Sequence, residues 1–592
     1  RSSARKPPWR HRQVNMPISN QKIAQVLYEI GEYLDMQKVS FKPRAYEKAA
    51  QAVEGLAGSV EEIYREGGIK ALKDIPGVGE SIAEKIEELI KTGKVKYYEG
   101  LKKKTPVNLG ELRGIEGLGP KSIQKLYEEL GIRSLADLER AAQRGKIAGL
   151  SGFGKKTEAN ILKGIEFLKG SSGRAILGFA MPQINSIEEQ LKKLKEVEKL
   201  TVAGSARRKK ETIGDIDILV VSTKPEPIMD YFTSMAQVVR VYAKGRTKSS
   251  VRTRMGLDVD LRIVPKESYG AALNYFTGSK DHNVALRQVA IKKGYKLNEY
   301  GLFKVGRGKE KMVAGATEEE VYAALGLDYI EPELREHTGE IELAAKHALP
   351  KLIGYGEILG DLQVQTDWTD GSASIEKMVE EARRRKLQYI AITDHTKRLA
   401  MTGGLDEKRI LKQMAEIDHL NKKLGGSFKI LKGTECDILK DGTLDLPDEV
   451  LAKLDFVGAS VHSFFHLPRA EQTERVKRAM RNPHVDMIFH PTGRILKRRE
   501  ACDLDLDEVV KAAKATKTLL EIDAYPDRSD LKDEYIRKAV EAGVKLAVDS
   551  DAHAPSHYEF IDYGVAQARR GWAKRKDIVN SWPVEKMLAM LK

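Results

Sequence analysis

The sequence predicts a multidomain protein with a helical amino-terminal region, an α+β central region and a carboxy-terminal α/β region. Apolar residues from Ile23 to Leu34 recur at helical spacing, and glycine-rich turns interrupt the chain after them. Strand-like apolar runs dominate residues 200–265, and residues 269–335 mix helices with short strands. From about Gly360 onwards, short apolar runs alternate with helical stretches, which is typical of βα units around a parallel sheet.

The length and composition of the chain exclude several classes of protein. With 592 residues the chain is too long for one hydrophobic core, and its length suggests about four domains. No apolar run is long enough to span a bilayer, so we expect no membrane partner. Residues 1–15 are basic and lack the apolar segment of a secretory signal, so we interpret them as a disordered tail or a cloning remnant before Met16.

The charge balance and the cysteine content indicate a partner and a compartment. Lys and Arg number 101 against 86 Asp and Glu, and the net charge of +15 favours a polyanionic partner such as nucleic acid. Charge alone leaves this open, because many proteins are basic. The two cysteines, Cys436 and Cys502, exclude a disulfide framework and fit a reducing compartment. We expect a cytoplasmic protein that is monomeric.

A glycine-containing turn recurs three times in the helical region, each time before a short amphipathic helix. The copies are Ile75-Pro76-Gly77-Val78-Gly79, Ile115-Glu116-Gly117-Leu118-Gly119 and Leu150-Ser151-Gly152-Phe153-Gly154. A Gly-x-Gly turn that opens a helix exposes backbone N–H groups, which can bind a phosphate whatever the base sequence. The turns resemble helix-hairpin-helix elements and predict DNA contact at their glycines. A purely structural turn remains the alternative, above all for the third copy.

Lys85 lies one turn inside the helix that follows the first of these turns. A lone helical lysine is usually a solvated charge. Lys85 borders the apolar face formed by Ile82, Ile86 and Leu89, and partial burial there would lower its pKa. A neutral amine at this position could form a Schiff base with an abasic sugar.

Acidic residues at strand spacing are the strongest signal in the chain. Residues two apart on a strand share a face, so Asp215 and Asp217 point the same way. Two such carboxylates repel each other unless cations bind, and Mg²⁺ or Mn²⁺ accepts oxygen ligands. A third carboxylate, Asp260, lies on a second strand, and together the three can hold two metal ions for in-line phosphoryl transfer. The alternative is a strand whose exposed face happens to carry aspartates.

This block resembles the family X DNA polymerases, the group that includes the vertebrate repair polymerase beta. The resemblance covers residues 16–335 and implies fingers, a palm and a thumb, with the three aspartates as metal ligands. It implies that Asp215 and Asp217 bridge both ions and that Asp260 lies nearest the primer 3′-OH and helps to deprotonate it. The positions that match triphosphate-pocket residues of the family are Gly204, Ser205, Arg208, Gly214 and Arg174.

The segment Tyr275-Phe276-Thr277-Gly278-Ser279 resembles the nucleotide-binding turn of the family's thumb. The resemblance implies that its backbone excludes a ribose 2′-OH. It also implies that Asn283 touches the minor-groove edge of the nucleotide and that Arg287 supports the template side. Lys280 and Asp258 depart from the vertebrate pattern, which puts the primer and base contacts in doubt rather than the reaction.

Further positions in the polymerase-like region match residues with other roles. Lys248 matches a DNA-contacting lysine of the family. Lys85 aligns with the lyase nucleophile of the vertebrate enzyme, and Tyr46 aligns with a nearby tyrosine. Ser81 stands where the vertebrate motif has a second lysine. The resemblance therefore makes lyase activity a hypothesis and no more.

In the carboxy-terminal region, polar residues cluster at the ends of the apolar runs. Function in βα barrels lies at the carboxyl ends of the strands, and His, Asp and Glu are ligands that Zn²⁺ or Mn²⁺ accepts. The pattern therefore predicts a metal site rather than a coincidence of surface residues. The clustered residues are Gln363, Gln365, Asp370, Asp394, His395, Glu435, His462, His490, Asp523, Asp551 and His553.

These segments resemble the PHP (polymerase and histidinol phosphatase) domain that bacterial and archaeal family X polymerases carry at this position. The resemblance implies a (βα)7 TIM-like barrel and a trinuclear metal site for phosphoester hydrolysis, which trims 3′ ends and cleaves abasic sites. The segments that carry it are Gly360-Asp361-Leu362, Ile392-Thr393-Asp394-His395, Gly433-Thr434-Glu435, Ser460-Val461-His462, His490-Pro491-Thr492-Gly493 and Asp551-Ala552-His553.

The resemblance also implies how the ligands divide among the metals. One metal would be held by Glu435, His462 and His490, and another by Asp370, His395 and His553. The third would use Asp551 and Glu435 with a His-x-His pair.

In this chain the His-x-His pair reads Gln363-Val364-Gln365, and Asp523 replaces the usual asparagine. A glutamine carbonyl is a weaker donor to a transition metal than imidazole. We therefore predict a barrel that holds up to two metals and is a poor or inactive nuclease. The sequence leaves open whether the glutamines are natural or engineered.

These interpretations predict a division into seven segments. They are a tail (1–15), a lyase-like DNA-binding domain (16–98), a fingers-like helix-hairpin-helix region (99–172), a palm (173–266), a thumb (267–335), a linker (336–356) and a PHP domain (357–592).

The predicted function is template-directed addition of dNMP to a DNA 3′-OH during gap-filling repair, with gapped or primed DNA and dNTP as substrates. One alternative is a template-independent nucleotidyltransferase that acts on RNA or small molecules. Another is a non-catalytic scaffold that binds DNA ends. A third is a barrel that carries the main activity beside a vestigial polymerase.

Overall fold

The computed structural model describes residues 18, 20–54, 56, 59–113, 115, 118–170, 173–254, 256–305, 310–399 and 402–592. The predicted tail 1–15 and Gly117 lie outside the described residues. The chain forms two compact units. The first unit has two segments, the described residues up to Arg113 and Leu118–Leu138. The second unit includes Glu139–Lys592. Among the described residues, no helix combines the length and the hydrophobicity needed to cross a bilayer.

The first unit is helical, as its apolar spacing predicts. Ile23, Leu27, Ile30 and Leu34 lie on one side of the first helix and are at most 2% exposed. The helices are α1 Asn20–Met36, α2 Lys42–Glu54, α3 Val60–Lys73, α4 Glu80–Thr92, α5 Lys96–Lys104, α6 Leu109–Leu112 and α7 Pro120–Leu130. Helix α8, Leu135–Gln143, begins in this unit and ends in the second.

The palm is a five-stranded sheet in the second unit. Its strands are β2 Lys199–Val202, β4 Asp215–Val221, β5 Val238–Lys244, β6 Lys248–Thr253 and β7 Asp258–Val264. They lie in the order β2-β4-β7-β6-β5, and neighbouring strands are antiparallel except β4 and β7, which are parallel. A separate pair consists of β1 Ala175–Ile176 and β3 Thr212–Ile213. The palm helices are α10 Leu177–Lys192, α11 Gly204–Arg207 and α12 Pro225–Ser234, and α9 Lys155–Gly170 precedes the palm in the chain.

The thumb follows the palm and combines helices with a three-stranded antiparallel sheet. Its elements are α13 Tyr269–Thr277, α14 Lys280–Lys292, β8 Tyr295–Asn298, β9 Gly301–Lys304, β10 Lys311–Ala314 and α15 Glu318–Ala324. The stretch that we predicted as a linker contains α16, Glu340–Ala345. Ile341 and Ala344 of this helix are buried in the same hydrophobic cluster as Leu286 and Tyr322 of the thumb.

The carboxy-terminal region confirms the predicted βα architecture. Seven parallel strands follow one another in the order of the chain, and a bridge between Val364 and Ala552 returns the last strand to the first, so the barrel is nearly closed. The strands are β11 Gly360–Val364, β12 Tyr389–Ile392, β13 Lys429–Asp437, β14 Phe456–Ser460, β15 Met487–Ile488, β16 Leu519–Asp523 and β17 Leu546–Asp549. The helices are α17 Ile375–Arg384, α18 Glu407–Leu424, α19 Asp448–Leu451, α20 Arg469–Arg481, α21 Leu506–Thr516, α22 Asp533–Ala542, α23 Ile561–Arg570 and α24 Val584–Leu588.

One strand of the barrel runs further than its apolar residues indicate. Strand β13 extends to Asp437, so Glu435 lies inside the strand instead of beyond its end. Hydrogen bonding to β14 continues from Gly433 to Asp437, which is why the strand does not stop where its hydrophobic run stops. Glu435 consequently points into a nearly closed barrel and is 1% exposed.

Candidate active site

The strand register of the palm brings the three predicted aspartates together. Asp217 lies opposite Asp260 in the parallel pair of β4 and β7, and Asp215 lies opposite Asp258. Ile216 is fully buried on the other face of β4. The aspartates therefore share one face of the sheet, with the hydrophobic core below them.

The three carboxylates repel one another in this arrangement. Burial, followed by the neighbouring charges of Asp215 and Asp260, raises the pKa of Asp217 to about 6. Gly204 has a φ of +64°, and a Cβ added there would lie 2.5 Å from Asp217 Oδ2, so only glycine allows this close approach. An all-oxygen donor set under mutual repulsion fits divalent cations.

Two residues of the neighbouring strand β6 contact the third aspartate. Lys248 Nζ lies 2.7 Å from Asp260 Oδ2. The Ser250 hydroxyl donates to Asp260 Oδ1 at 2.6 Å. We did not predict Ser250, although its position two residues after Lys248 on the same strand face was a signal that could have found it.

The predicted triphosphate arginines are both hydrogen-bonded to other groups of the protein. Arg208 Nε donates to Glu336 Oε1 at 3.0 Å, and its Nη1 donates to the Thr277 carbonyl at 2.5 Å. Arg174 donates to the side chain and the carbonyl of Thr212 at 3.0 and 2.6 Å. A Cβ on Gly214 would lie 3.5 Å from Arg174 Nη1, so this arginine borders the start of β4.

The predicted nucleotide-binding turn of the thumb forms one surface with α14. Asn283 Nδ2 donates to the Tyr275 carbonyl at 2.6 Å, and Arg287 Nε donates to the Asn283 carbonyl at 3.3 Å. Gly278 has a φ of +52°, which favours glycine, and Ser279 caps α14 by accepting from the His282 N–H.

A buried ion-pair network joins the palm to the thumb, and the sequence analysis did not find it. Arg207 of α11 contacts Glu318 through both of its Nη atoms, at 2.9 and 2.6 Å, and donates to the Thr277 hydroxyl. Arg335 contacts the same carboxylate at 2.5 Å. Burial alone would raise the pKa of Glu318, but the two arginines lower it to about 2. No local pattern predicts a pairing between residues so far apart in the chain.

The described glycines of the three turns stand at or just before helix starts, as predicted. Gly79 and Gly119 are the N-caps of α4 and α7, and Gly154 directly precedes α9. Gly77 and Gly152 have φ values of +77° and +85°. A Cβ at Gly79, Gly119, Gly152 or Gly154 would meet nothing within 4 Å, so these positions face open space. DNA contact at these turns stays a prediction.

Lys85 in the first unit is partly buried beside polar and aromatic groups. Its Nζ donates to the carbonyl and the hydroxyl of Ser81, both at 2.8 Å, and lies 4.9 Å from the centre of the Tyr97 ring. Burial lowers the pKa of Lys85, and burial raises the pKa of the neighbouring Tyr46 to about 12. The amine is therefore easier to deprotonate than a solvated lysine.

The barrel brings its predicted ligands into two overlapping groups. In each group, the candidate ligand atoms lie within 4.8 Å of one another. The first group is one of the predicted ligand sets, whereas the second has His395 in the place where His490 was predicted. The groups are Asp370, His395 and His553, and His395, Glu435 and His462.

Glu435 is the centre of the histidine cluster. Its Oε1 lies 2.8 Å from His490 Nε2 and 3.1 Å from His462 Nε2, and its Oε2 lies 3.2 Å from His395 Nδ1. Burial alone would raise the pKa of Glu435, but the histidines hold it well below its ordinary value. The buried Asp370 Oδ1 has no hydrogen-bond partner among the described residues, and His395 Nδ1 and His462 Nε2, although close to Glu435, form no hydrogen bond of regular geometry. Such nitrogen and oxygen atoms fit ligands for divalent cations.

The two glutamines of the predicted third ligand set contact carboxylates. Gln365 Nε2 donates to Glu435 Oε2 at 2.9 Å. Gln363, with its amide oriented to donate, lies 2.5 Å from Glu521 Oε1. Both side chains are fully buried, so these hydrogen bonds have little competition from water.

A guanidinium contacts the remaining acidic groups on this side of the barrel. Arg528 Nε lies 3.3 Å from Asp523 Oδ2 and 3.4 Å from Asp551 Oδ2. Burial and the charge of Asp551 hold the pKa of Asp523 well above its ordinary value. Asp394 has a different role, since it accepts hydrogen bonds from the Thr366 N–H and from Gln413 at 2.8 and 2.7 Å.

Four family models match the chain in the order of these regions. A helix-hairpin-helix domain matches residues 18–95, and a SAM-like helix-hairpin-helix tandem matches residues 109–166. The DNA polymerase beta thumb matches residues 272–336, and the PHP domain matches residues 361–525. These matches confirm the predicted fold class.

Curated relatives extend the similarity over almost the whole chain. The DNA polymerase/3′-5′ exonuclease PolX of Bacillus subtilis (strain 168) is 38% identical over 573 residues, which cover 96% of this chain and 99% of that protein. DNA polymerase lambda of Arabidopsis thaliana is 25% identical over 370 residues, 56% of this chain and 64% of that protein. A probable phosphatase of Thermoanaerobacter sp. (strain X514) is 35% identical over 191 residues, 31% of this chain and 73% of that protein. The chain belongs to the family X DNA polymerases that carry a carboxy-terminal PHP domain.

Proposed function

We propose that this polymerase fills short gaps in DNA, with Mg²⁺ or Mn²⁺ held by Asp215, Asp217 and Asp260. The observation that carries the proposal is the register of β4 and β7, which sets Asp217 opposite Asp260 on one face of the palm sheet. The negative charges of these carboxylates repel one another, and a bound cation relieves that repulsion, so each carboxylate raises the affinity of the others for cations. The net charge of +15 suits a DNA substrate.

The reaction joins the primer O3′ to the α-phosphorus of a dNTP, and the bond from that phosphorus to the β-phosphate oxygen breaks, so that pyrophosphate leaves. Divalent cations, when bound, supply positive charge that offsets the charge of the phosphates. Asp260 accepts the proton of the primer hydroxyl, and Ser250 orients its carboxylate. Ser205, Arg208 and Arg174 hold the triphosphate and balance its charge.

The thumb selects the nucleotide and the helical turns hold the DNA. The backbone from Tyr275 to Gly278 excludes a ribose 2′-OH, while Asn283 and Arg287 line the base side. Lys248 and the glycine turns bind the sugar-phosphate backbone without reading its sequence. Gapped or primed DNA and dNTP are the substrates of a monomeric enzyme.

We propose that the barrel holds up to two Zn²⁺ or Mn²⁺ ions and is a poor or inactive nuclease. The relative from Bacillus subtilis has a 3′-5′ exonuclease in its name. In this chain Gln363 and Gln365 stand at the third ligand set and donate to carboxylates, and Arg528 pairs with Asp551. Neutral amides and a guanidinium together disfavour a third divalent ion at this position.

Primer extension tests the polymerase proposal. A one-nucleotide-gapped duplex is incubated with Mg²⁺ or Mn²⁺ and either dNTP or NTP, and 3′-end shortening is scored in lanes that lack nucleotide. We expect extension with dNTP that disappears in the Asp215→Ala/Asp217→Ala variant. Asp230→Ala is the control, since Asp230 is an exposed palm aspartate that pairs with Lys244. Absence of extension with every template and nucleotide would overturn the proposal.

A second activity is favoured by the surroundings of Lys85. We propose that this amine adds to the aldehyde carbon of an abasic sugar and that the addition product then loses water to give a Schiff base. Borohydride reduces such an intermediate to a stable protein–DNA adduct. We expect an adduct with the wild-type chain and with Lys91→Ala, a lysine on the same helix, but none with Lys85→Ala. An adduct that persists in Lys85→Ala contradicts this assignment.

A further inference from the structure

We infer that the carboxy-terminal barrel forms the outer support of the triphosphate pocket, because Arg494 and Arg570 of the barrel hold the palm segments that carry Arg174 and Arg208. This inference rests on the proposed role of these two palm arginines in binding the triphosphate. It assigns positioning roles to barrel residues that do not themselves touch the nucleotide.

The first support is an ion pair between the barrel and the strand pair β1–β3. Arg494 Nη2 lies 2.7 Å from Glu211 Oε2, and Nη1 lies 3.3 Å from Oε1, so the contact is bidentate. Arg494 also donates to the Ser529 carbonyl, which ties its guanidinium to a second loop of the barrel. The Arg494 side chain is 10% exposed, so water screens the pair only weakly.

Glu211 is connected to Arg174 through the next residue, Thr212. Glu211 directly precedes β3, and its carbonyl accepts from the Leu177 N–H at 3.0 Å. The next residue, Thr212, accepts both hydrogen bonds of the Arg174 guanidinium. Lys497 of the same barrel loop donates to the carbonyl of Arg174 at 2.5 Å. The barrel therefore holds this arginine through its side-chain partner and through its backbone.

The second support reaches Arg208 through Glu336. Arg570 of α23 lies 3.1 Å from Glu336 Oε1, and the same oxygen accepts from Arg208 Nε at 3.0 Å. Arg570 also donates to the Arg208 carbonyl at 2.9 Å and pairs with Asp533 at 2.5 Å. Arg570 and Arg208 both contact the Glu336 carboxylate, so the ion pair between Glu336 and Arg208 is weaker than it would be without Arg570. Arg208 can therefore exchange this partner for a triphosphate.

Apolar packing keeps the barrel against the palm independently of these ion pairs. A Cβ added to Gly178 of α10 would lie 2.7 Å from Pro526 Cβ, which shows how closely the two surfaces approach. Tyr563 of the barrel also donates to the Gly178 carbonyl at 3.5 Å. Loss of one ion pair should therefore disturb the pocket without releasing the barrel.

Single-nucleotide insertion kinetics on gapped DNA, with full-length variants, test the inference. We expect Arg494→Ala and Glu211→Ala each to raise the KM for dNTP about tenfold, since small displacements of positioning groups have effects of this size. The kcat should stay within about twofold, because the reacting groups are unchanged. The exchanged pair Arg494→Glu/Glu211→Arg should recover most of the lost affinity. Arg481→Ala, which removes a barrel arginine paired with Glu474 on its own helix, is the matched control.

Two further variants separate this inference from the function on which it rests. Arg208→Ala and Arg174→Ala are measured in the same series, and an unchanged KM in both would overturn the proposed triphosphate pocket itself. If both raise KM while Arg494→Ala and Glu211→Ala leave it unchanged, only the positioning role of the barrel is wrong. A KM that rises in the single variants and recovers in the exchanged pair, at an unchanged melting temperature, supports the inference.

Discussion

The palm and the barrel both gather acidic side chains, but they balance the resulting charge in different ways. In the palm, burial and two neighbouring carboxylates raise the pKa of Asp217 to about 6. In the barrel, histidines surround Glu435 and hold its pKa well below the ordinary value, against the effect of burial. The palm carboxylates therefore remain under mutual repulsion, whereas the central carboxylate of the barrel site is already partly neutralised by its own side-chain neighbours.

The two sites contain similar types of ligand atom but differ in how much positive charge the protein itself places beside them. The palm carboxylates have two positive neighbours, Lys248 and Arg262, at 2.7 and 4.0 Å from Asp260, but repulsion still prevails, as the raised pKa of Asp217 shows. The barrel adds Arg528 beside Asp551, along with two amides that donate to carboxylates. Each of these internal partners lowers the advantage of binding a further ion. Four measurements test this difference between the palm and the barrel.

The largest effect should come from the palm. Asp217→Asn keeps the size of the side chain but removes a charge, and we expect a loss of at least about a thousandfold in the rate of primer extension. Glu435→Gln, the corresponding change in the barrel, should leave extension almost unchanged. Rates of single-nucleotide insertion check both. Equal losses in the two variants would show that the sites do not work separately.

The second effect concerns the glutamines. Gln363→His/Gln365→His should raise 3′-end shortening by about tenfold to a hundredfold, since changes even to the hydrogen-bond partners of metal ligands alter metal affinity by such factors. Elemental analysis should show an additional bound metal per chain. His462→Ala added to the double variant is the control and should abolish the gain. An unchanged metal content would mean that Arg528 and its carboxylate partners, and not the glutamines, decide the occupancy.

The third effect is an opposite change in stability at the two sites, measured without divalent ions. The pKa of Asp217 is raised in the folded protein from its ordinary value of 3.8 to about 6. The free energy of unfolding therefore falls as the pH rises between these two values, because the unfolded chain ionises this group more readily. Asp217→Asn should therefore stabilise the protein by about 3 kcal/mol at pH 7.5 and hardly at all below pH ~4.

Glu435 has a lowered pKa, so its contribution to stability is present above its ordinary value of 4.5 and is lost as the pH falls below that value. Glu435→Gln should destabilise the protein by about 3–5 kcal/mol at neutral pH, as breaking a buried charge pair does. Thermal melting in EDTA at several pH values checks both signs. A change of the same sign in both variants would contradict the difference between the sites.

The smallest effect should come from Ser250. Ser250→Ala removes the hydrogen bond to Asp260 Oδ1, and we expect kcat to fall about fivefold, the effect of one hydrogen bond. Ser250→Thr keeps a hydroxyl on the same strand face and should retain most of the rate. If both variants behave alike, the hydroxyl does not orient this carboxylate.

Much of the molecule could be predicted because the relevant spacing is local. The two-residue period of a strand sets Asp215 and Asp217 on one face, and the helical period sets the apolar side of α1. The alternation of apolar runs and helices predicted the βα region, and the family and the polymerase class were also correct. Boundaries were less certain, as the extension of β13 to Asp437 shows, because hydrogen bonding to a neighbour decides where a strand ends.

The sequence by itself determined which side chains share a face, since backbone geometry sets that within a few residues. Only the tertiary structure decided which faces meet. It placed Asp260 opposite Asp217, brought His395 as well as His462 and His490 to Glu435, and paired Arg494 with Glu211 across 283 positions of the chain. Such pairings depend on burial and charge complementarity between distant segments. No local period encodes them, because they form only when the core has brought those segments together.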